Sequence, residues 1–180
     1  MKPIKIAGLL STLVIALCAA PATAQHVEVK LTEKVKVLFP QQPVKQENGP
    51  ASLYLLRLED STANFLAVVT DLQQSVGLDE GTIAVAMLES TFWDEAANGF
   101  LAQLGGKAKE IGRQMKEING HEIMQLEFER PTEANANNII TVIILVDGIY
   151  TVNLIHTDRA GKADKKIKQA FIGSLSIDRP

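Results

Sequence analysis

Cysteine is nearly absent from this chain: of its 180 residues only Cys18 is one. Aromatic residues make up 5%, with a single Trp, and there are three histidines. A lone thiol cannot form a disulfide within the chain. The imidazoles His26, His121 and His156 are far apart in sequence, without the spacing of a metal motif. Neither a G-x-S-x-G elbow nor a Gly-rich phosphate loop occurs. Long apolar runs are missing too. The clearest, AGLLSTLVIALCAA from Ala7 to Ala20, has 14 residues, against about 20 for a comfortable bilayer span.

That short run is what is there to begin with. Lys2 and Lys5 precede it, and Ala22-Thr23-Ala24 follows it with small residues where a signal peptidase reads. A basic start, a short apolar centre and an A-x-A site predict a cleaved secretory signal over residues 1–24, with Gln25 as the new first residue. Lipoprotein processing at Cys18 would want a small residue before it, and Leu17 stands there. Cleavage after Ala24 would remove the one cysteine and two lysines. That leaves 16 basic against 21 acidic residues, a net charge of −5. An acidic surface is a poor fit for nucleic acid or anionic lipid, so neither is expected as a partner, and no membrane insertion is expected after cleavage. Residues 25–180 are expected to form one domain, periplasmic or secreted.

From Val27 to Phe39 the odd positions are mostly apolar and the even ones mostly charged, which predicts a strand with one buried face. Ala51 to Glu59 and Phe65 to Leu72 read as two more. A long helix is predicted from Asp79 to Leu104, because Ile83, Ala86, Met87, Trp93, Ala97, Phe100, Leu101 and Leu104 form a stripe. Asp79 is its expected cap, and Gly105-Gly106 its stop. Four strands follow: Lys109 to Ile118, His121 to Arg130, Asn138 to Val146 and Ile149 to Thr157. Asn119-Gly120 and Asp147-Gly148 are expected as turn pairs in which both residues take positive φ. A last helix is predicted over Lys162 to Ser174. The segment IITVIILV is apolar on both faces and so needs cover on both. The expected fold is α+β: a three-layer α/β/α sandwich whose mainly antiparallel sheet of six to seven strands carries the long helix and the C-terminal helix on its faces.

The motif Val37-Leu38-Phe39-Pro40-Gln41-Gln42-Pro43 resembles the opening of PsbP-like domains, the superfamily that includes the Ran-binding Mog-type proteins. Gly148-Ile149-Tyr150-Thr151-Val152 and Phe171-Ile172-Gly173-Ser174-Leu175 resemble its closing hairpin and F-x-x-S-F helix end. Leu175 replaces the last aromatic, and no Arg precedes the Tyr turn. The resemblance spans Val27 to Ile177. It implies a fold and a binding or assembly role, as in bacterial envelope relatives, and transfers no catalytic residue.

The chemistry-bearing residues have ordinary readings. Pro40 and Pro43 match a minimal polyproline ligand, but Pro40 also cannot continue a sheet ladder, so a corner is expected. His121-Glu122-Ile123-Met124-Gln125 starts like H-E-x-x-H, yet Gln125 stands where the second His is needed. His156 and Asp158 with Ser174 or Ser176 could make a triad only if the fold converged them. Asp94-Glu95 and Glu59-Asp60 read as solvated charges. In the predicted long helix, Phe92 and Trp93 are neighbours and cannot both face one core. With Gly99 leaving a gap nearby, Phe92, Trp93 and Gly99 are the expected partner face. No catalytic, metal or cofactor residue is expected. The function expected is that of an exported, non-catalytic binding or assembly protein contacting another envelope protein. A periplasmic carrier of a small apolar ligand, in a pocket lined by Phe92, Met87 and Tyr150, is the first alternative. A metal-dependent hydrolase is the second.

Overall fold

The computed structural model describes residues 26–59, 62–105, 107–131, 137–159 and 161–178. The expected cleavage residues Ala22, Ala24 and Gln25, together with Cys18, lie outside them.

Alternation does make strands at the start of the chain, but two rather than one. β1 (Val27–Lys30) and β2 (Val35–Phe39) pair antiparallel, Val27 opposite Phe39 and Val29 opposite Val37. The chain reverses at Thr32, whose hydroxyl accepts from the N–H groups of Lys34 and Val35 at 3.2 and 3.1 Å. Pro40 and Pro43 then form the corner that leads to β3 (Val44–Asn48). Both prolines are buried, so neither is available as a polyproline ligand.

β3 is the edge of a seven-stranded sheet. It continues through β4 (Ala51–Arg57) and β5 (Ala63–Asp71), and after the helices through β6 (Lys109–Ile118), β7 (His121–Pro131), β8 (Asn137–Asp147) and β9 (Tyr150–Arg159). The strand order is β3-β4-β5-β9-β8-β7-β6, antiparallel throughout. Asn119 and Gly120 both take positive φ, 51° and 87°, as the tight turn requires. At the other hairpin the central pair is Gly148-Ile149, not Asp147-Gly148. Asp147 still pairs with Tyr150 at the end of the ladder, and only Gly148 is left-handed, at φ 59°. A glycine at the first central position suffices for that turn.

The double-sided apolar character of β8 is resolved by two cores. Ile143 and Leu145 face one, with Val37 and Phe39 of β2, Phe65 and Ala67 of β5, and Leu154 of β9. Ile140, Val142 and Ile144 face the other, with Met124, Leu126 and Phe128 of β7. The first core is closed by the β1–β2 hairpin together with α4 (Lys165–Gly173) and β10 (Ser176–Ile177), which pairs with β2. Asp164 caps α4 by accepting from the Lys166 N–H at 2.7 Å. Among the described residues one large sheet and a small three-stranded one, with four helices, make a mixed α+β fold.

The second core is closed by a helix shorter than expected. The segment predicted as one helix is two: α2 (Glu80–Met87) and α3 (Phe92–Gln103). A further short helix, α1 (Leu72–Val76), precedes them. Asp79 caps α2, with the Thr82 N–H donating to its carboxylate at 2.7 Å. That bond holds the carboxyl below its usual range. The break falls at Glu89-Ser90-Thr91. Ser90 occupies the stripe position between Ala86 and Trp93, and serine and threonine compete for backbone hydrogen bonds and favour helix ends. Both helices keep the stripe turned inward: in α2 Ile83 is buried and Ala86 and Met87 are half-buried, and from α3 onward Trp93, Ala96, Ala97, Phe100, Leu101 and Leu104 pack on the second core.

Candidate interaction surface

α3 separates the three residues expected on the partner face. Trp93 turns inward, and its buried Nε1 finds no acceptor among the described residues. Phe92 is half-buried and stands edge-on to the Trp93 ring, with centroids 5.1 Å apart. Gly99 is exposed, with open space where a Cβ would sit. Seven residues apart, Phe92 and Gly99 share one flank of α3, while Trp93 does not.

The more exposed apolar surface lies on α2 and the segment leading into it. Val76, Leu78, Val85 and Leu88 are 62, 37, 63 and 85% exposed. Within α2 only Ile83 is buried. Gly81, Val85 and Leu88 lie on the opposite side, so the face turned to solvent is apolar. A surface helix normally shows water its polar face. The signal was present in IAVAML, which is apolar all round the helix rather than along one stripe.

α2 also borders two of the clefts in the molecule. One cleft, about 830 Å³, lies between the β1–β2 turn, the inner face of β4 and the β8–β9 turn. Lys34, Lys45, Tyr54, Glu80, Asp147 and Tyr150 are among its walls. Lys45 is held by Glu47 at 2.6 Å, which raises its pKa, and lies 5.5 Å above the Tyr54 ring. A second cleft, about 560 Å³, runs between α4 and β7, where Lys168 reaches Glu127 at 2.9 Å. A third, about 280 Å³, contains Met87 and His121. Met87 and Tyr150 therefore line different clefts and Phe92 lines none of the three, so the pocket expected from these residues does not form.

The residues considered for chemistry are likewise not brought together. His156 is fully buried in β9, between Thr141 of β8 and Phe65 of β5, and meets the Phe65 ring edge-on at 4.9 Å. Neither ring nitrogen has a protein hydrogen-bond partner among the described residues. Burial, and then the Lys168 charge, push its pKa down to about 4 against a partial opposing pull from Asp158. Asp158 instead accepts from the Ala163 N–H at 2.9 Å. Ser174 ties α4 to β2: its hydroxyl donates to the Phe171 carbonyl and accepts from the Leu38 N–H, both at 2.8 Å. Ser174→Ala is expected to cost about 1–2 kcal/mol, because the Leu38 N–H loses its acceptor. Chemical denaturation would read that loss as a lower midpoint at unchanged slope. Ser176 is exposed on β10. His121 begins β7, about 20 Å along the strands from the Glu127–Thr141–His156 row, and His26 is exposed at the start of the described chain. Among the described residues no group of three or more His, Cys, Asp or Glu could hold a metal ion. Asp94 pairs with Arg113, which also binds Glu110 at 2.9 Å. Glu59 is exposed, and Asp60 lies outside the described residues.

The fold has known counterparts. It overlays on the solution structure of cyanobacterial PsbP (CyanoP) from Synechocystis sp. PCC 6803 with a TM-score of 0.52, over 91% of this chain and 98% of that one, at 10% identity. The chain therefore has a PsbP-like fold, and at that identity the likeness speaks to fold alone. A Pseudomonas aeruginosa protein of unknown function, PA94, matches over 74% of this chain and 82% of its own, at 14% identity and a TM-score of 0.42. A Bacteroides thetaiotaomicron protein matches over 81% of this chain and 45% of its own, at 12% identity and a TM-score of 0.41. These two overlay too loosely to carry an argument. No protein-family model matches the sequence, and no curated protein does. Among the described residues no helix is long and apolar enough to cross a membrane.

Proposed function

We propose that the protein is an exported, non-catalytic, single-domain binding or assembly protein of the cell envelope, acting through contact with another envelope protein. The observation that carries this reading is the outward apolar face of α2, with Val85 and Leu88 turned to water on a helix that buries only Ile83. Exposing these side chains forgoes a favourable burial that a partner would restore. The basic start and A-x-A site support export, and the Mog-type side of the sequence resemblance points to the same kind of role. The large cleft does not favour an apolar ligand, because Lys34, Lys45, Glu80 and Asp147 line it and would lose water to such a guest.

The test is a crosslinked pull-down from the intact envelope with the mature protein tagged at its C-terminus. One reproducible protein partner, lost in Val85→Ser/Leu88→Ser, is the expected result. A turnover that purifies with the protein and vanishes in His121→Ala would overturn the reading.

A further inference from the structure

Between Arg57 and Lys107 the chain contains no Lys, Arg or His, while it carries eight acids: Glu59, Asp60, Asp71, Asp79, Glu80, Glu89, Asp94 and Glu95. This stretch supplies β5, α1, α2 and α3, and so all of the exposed apolar run from Val76 to Leu88. All of the chain's basic residues stand elsewhere, with Lys162, Lys165, Lys166 and Lys168 grouped around α4. The acids next to the run are not neutralised locally. Asp79 opens α2 and Glu89 follows its last turn, both are exposed, and among the described residues neither has an ion-pair partner. An apolar centre with an acidic rim has a definite complement.

Resting on the binding role proposed above, we infer that α2 and the segment before it dock a basic protein segment. Its apolar side chains would cover Val85 and Leu88, and its Lys or Arg residues would face Asp79, whose carboxylate lies beside the outward Gly81, and Glu89. The apolar contact supplies affinity, and the rim sets encounter rate and partner choice. The same rim argues against a membrane surface, since anionic headgroups would meet uncompensated carboxylates. Gly81 lies on the outward face with Val85 and Leu88, so the N-terminal end of this face has no side chain to hold a partner off.

The test places a photo-crosslinking amino acid at Leu88 in the full exported chain, and in a second variant at Gln114, exposed on β6. Both positions are exposed, and circular dichroism checks that each variant is folded. The expected result is a protein adduct from position 88 and not from 114, with a crosslinked peptide of net positive charge. Asp79→Asn/Glu89→Gln, in which Asn can still cap α2, should lower its yield about fivefold or more, and raised salt should do the same. Several outcomes overturn the inference but leave the binding role standing: an adduct from 114 alone, a crosslinked peptide that is neutral or acidic, or an adduct with a second copy of this chain. A lipid adduct from position 88 overturns the inference in favour of a membrane surface. Adducts from neither position, with a partner still captured by the pull-down, overturn the α2 site alone. With no partner captured either, the binding role falls as well.

Discussion

Phe171→Ala is expected to lower the unfolding free energy by about 3–5 kcal/mol, the largest single effect foreseen for this chain. Phe171 is fully buried and touches two rings edge-on, Phe39 of β2 at 5.0 Å and Phe65 of β5 at 5.2 Å. It is the side chain through which α4 holds the small sheet to the large one, so its removal leaves a cavity where three elements meet. Little there can relax into the space, because Val37, Leu154 and Ile177 are themselves fully buried. Equilibrium denaturation of the purified protein measures the loss. The double variant with Phe65→Ala should lose less than the sum of the two single losses, by about 0.5–1.5 kcal/mol for the shared ring contact. A loss under about 1 kcal/mol for Phe171→Ala alone would mean that α4 is not docked as described.

Mild acid is expected to weaken the fold through one residue. His156 has a folded pKa near 4, while an unfolded chain protonates its histidines near 6.5. Below about pH 6.5 the unfolded chain therefore takes up a proton that the folded one refuses. The neutral form's contribution is complete above that pH and is lost as pH falls through the interval down to about 4, where the penalty levels off. Over the whole interval the difference amounts to about 3 kcal/mol. Carboxylates complicate the lower part, so the diagnostic region is pH 6.5 to 5, where they remain mostly ionised. Denaturation midpoints should fall across it for the native sequence and stay nearly level for His156→Leu. Equal slopes for the two proteins would show that the imidazole is not held neutral.

How far the sequence revealed this molecule depends on which interactions shape each part. Strands from β6 to β9 could be read almost to the residue, because period-two alternation and the turn signals Asn119-Gly120 and Gly148 are local. The β1–β2 reversal was hidden for a geometric reason. A four-residue turn from Leu31 to Lys34 preserves the parity of the alternation, so Val29 and Val37 fall on one face and look like one strand. The polar run Thr32-Glu33-Lys34 was the available clue, as Glu89-Ser90-Thr91 was for the break between α2 and α3. β3 and β10 were missed because they are defined by pairing partners far along the chain rather than by their own pattern. At the candidate site, the neighbours Phe92 and Trp93 drew attention to α3, yet burial had already claimed Trp93. The exposed face of α2 was legible in IAVAML only once the helix was known to sit at the surface. A helix apolar on every side suggests the interior until the fold says otherwise.

The pairing of β2 with β10 joins positions about 140 residues apart, Lys36 with Ser176. A chain delivered N-terminus first thus presents Val35, Val37 and Phe39 early, but the strand and the ring that cover them come from residues 171–177. The first core cannot close until nearly the whole chain has emerged. While the chain emerges the β1–β2 hairpin is an unfinished surface, open to mispairing or to a holding chaperone, and completion of the fold is timed by the last segment to arrive.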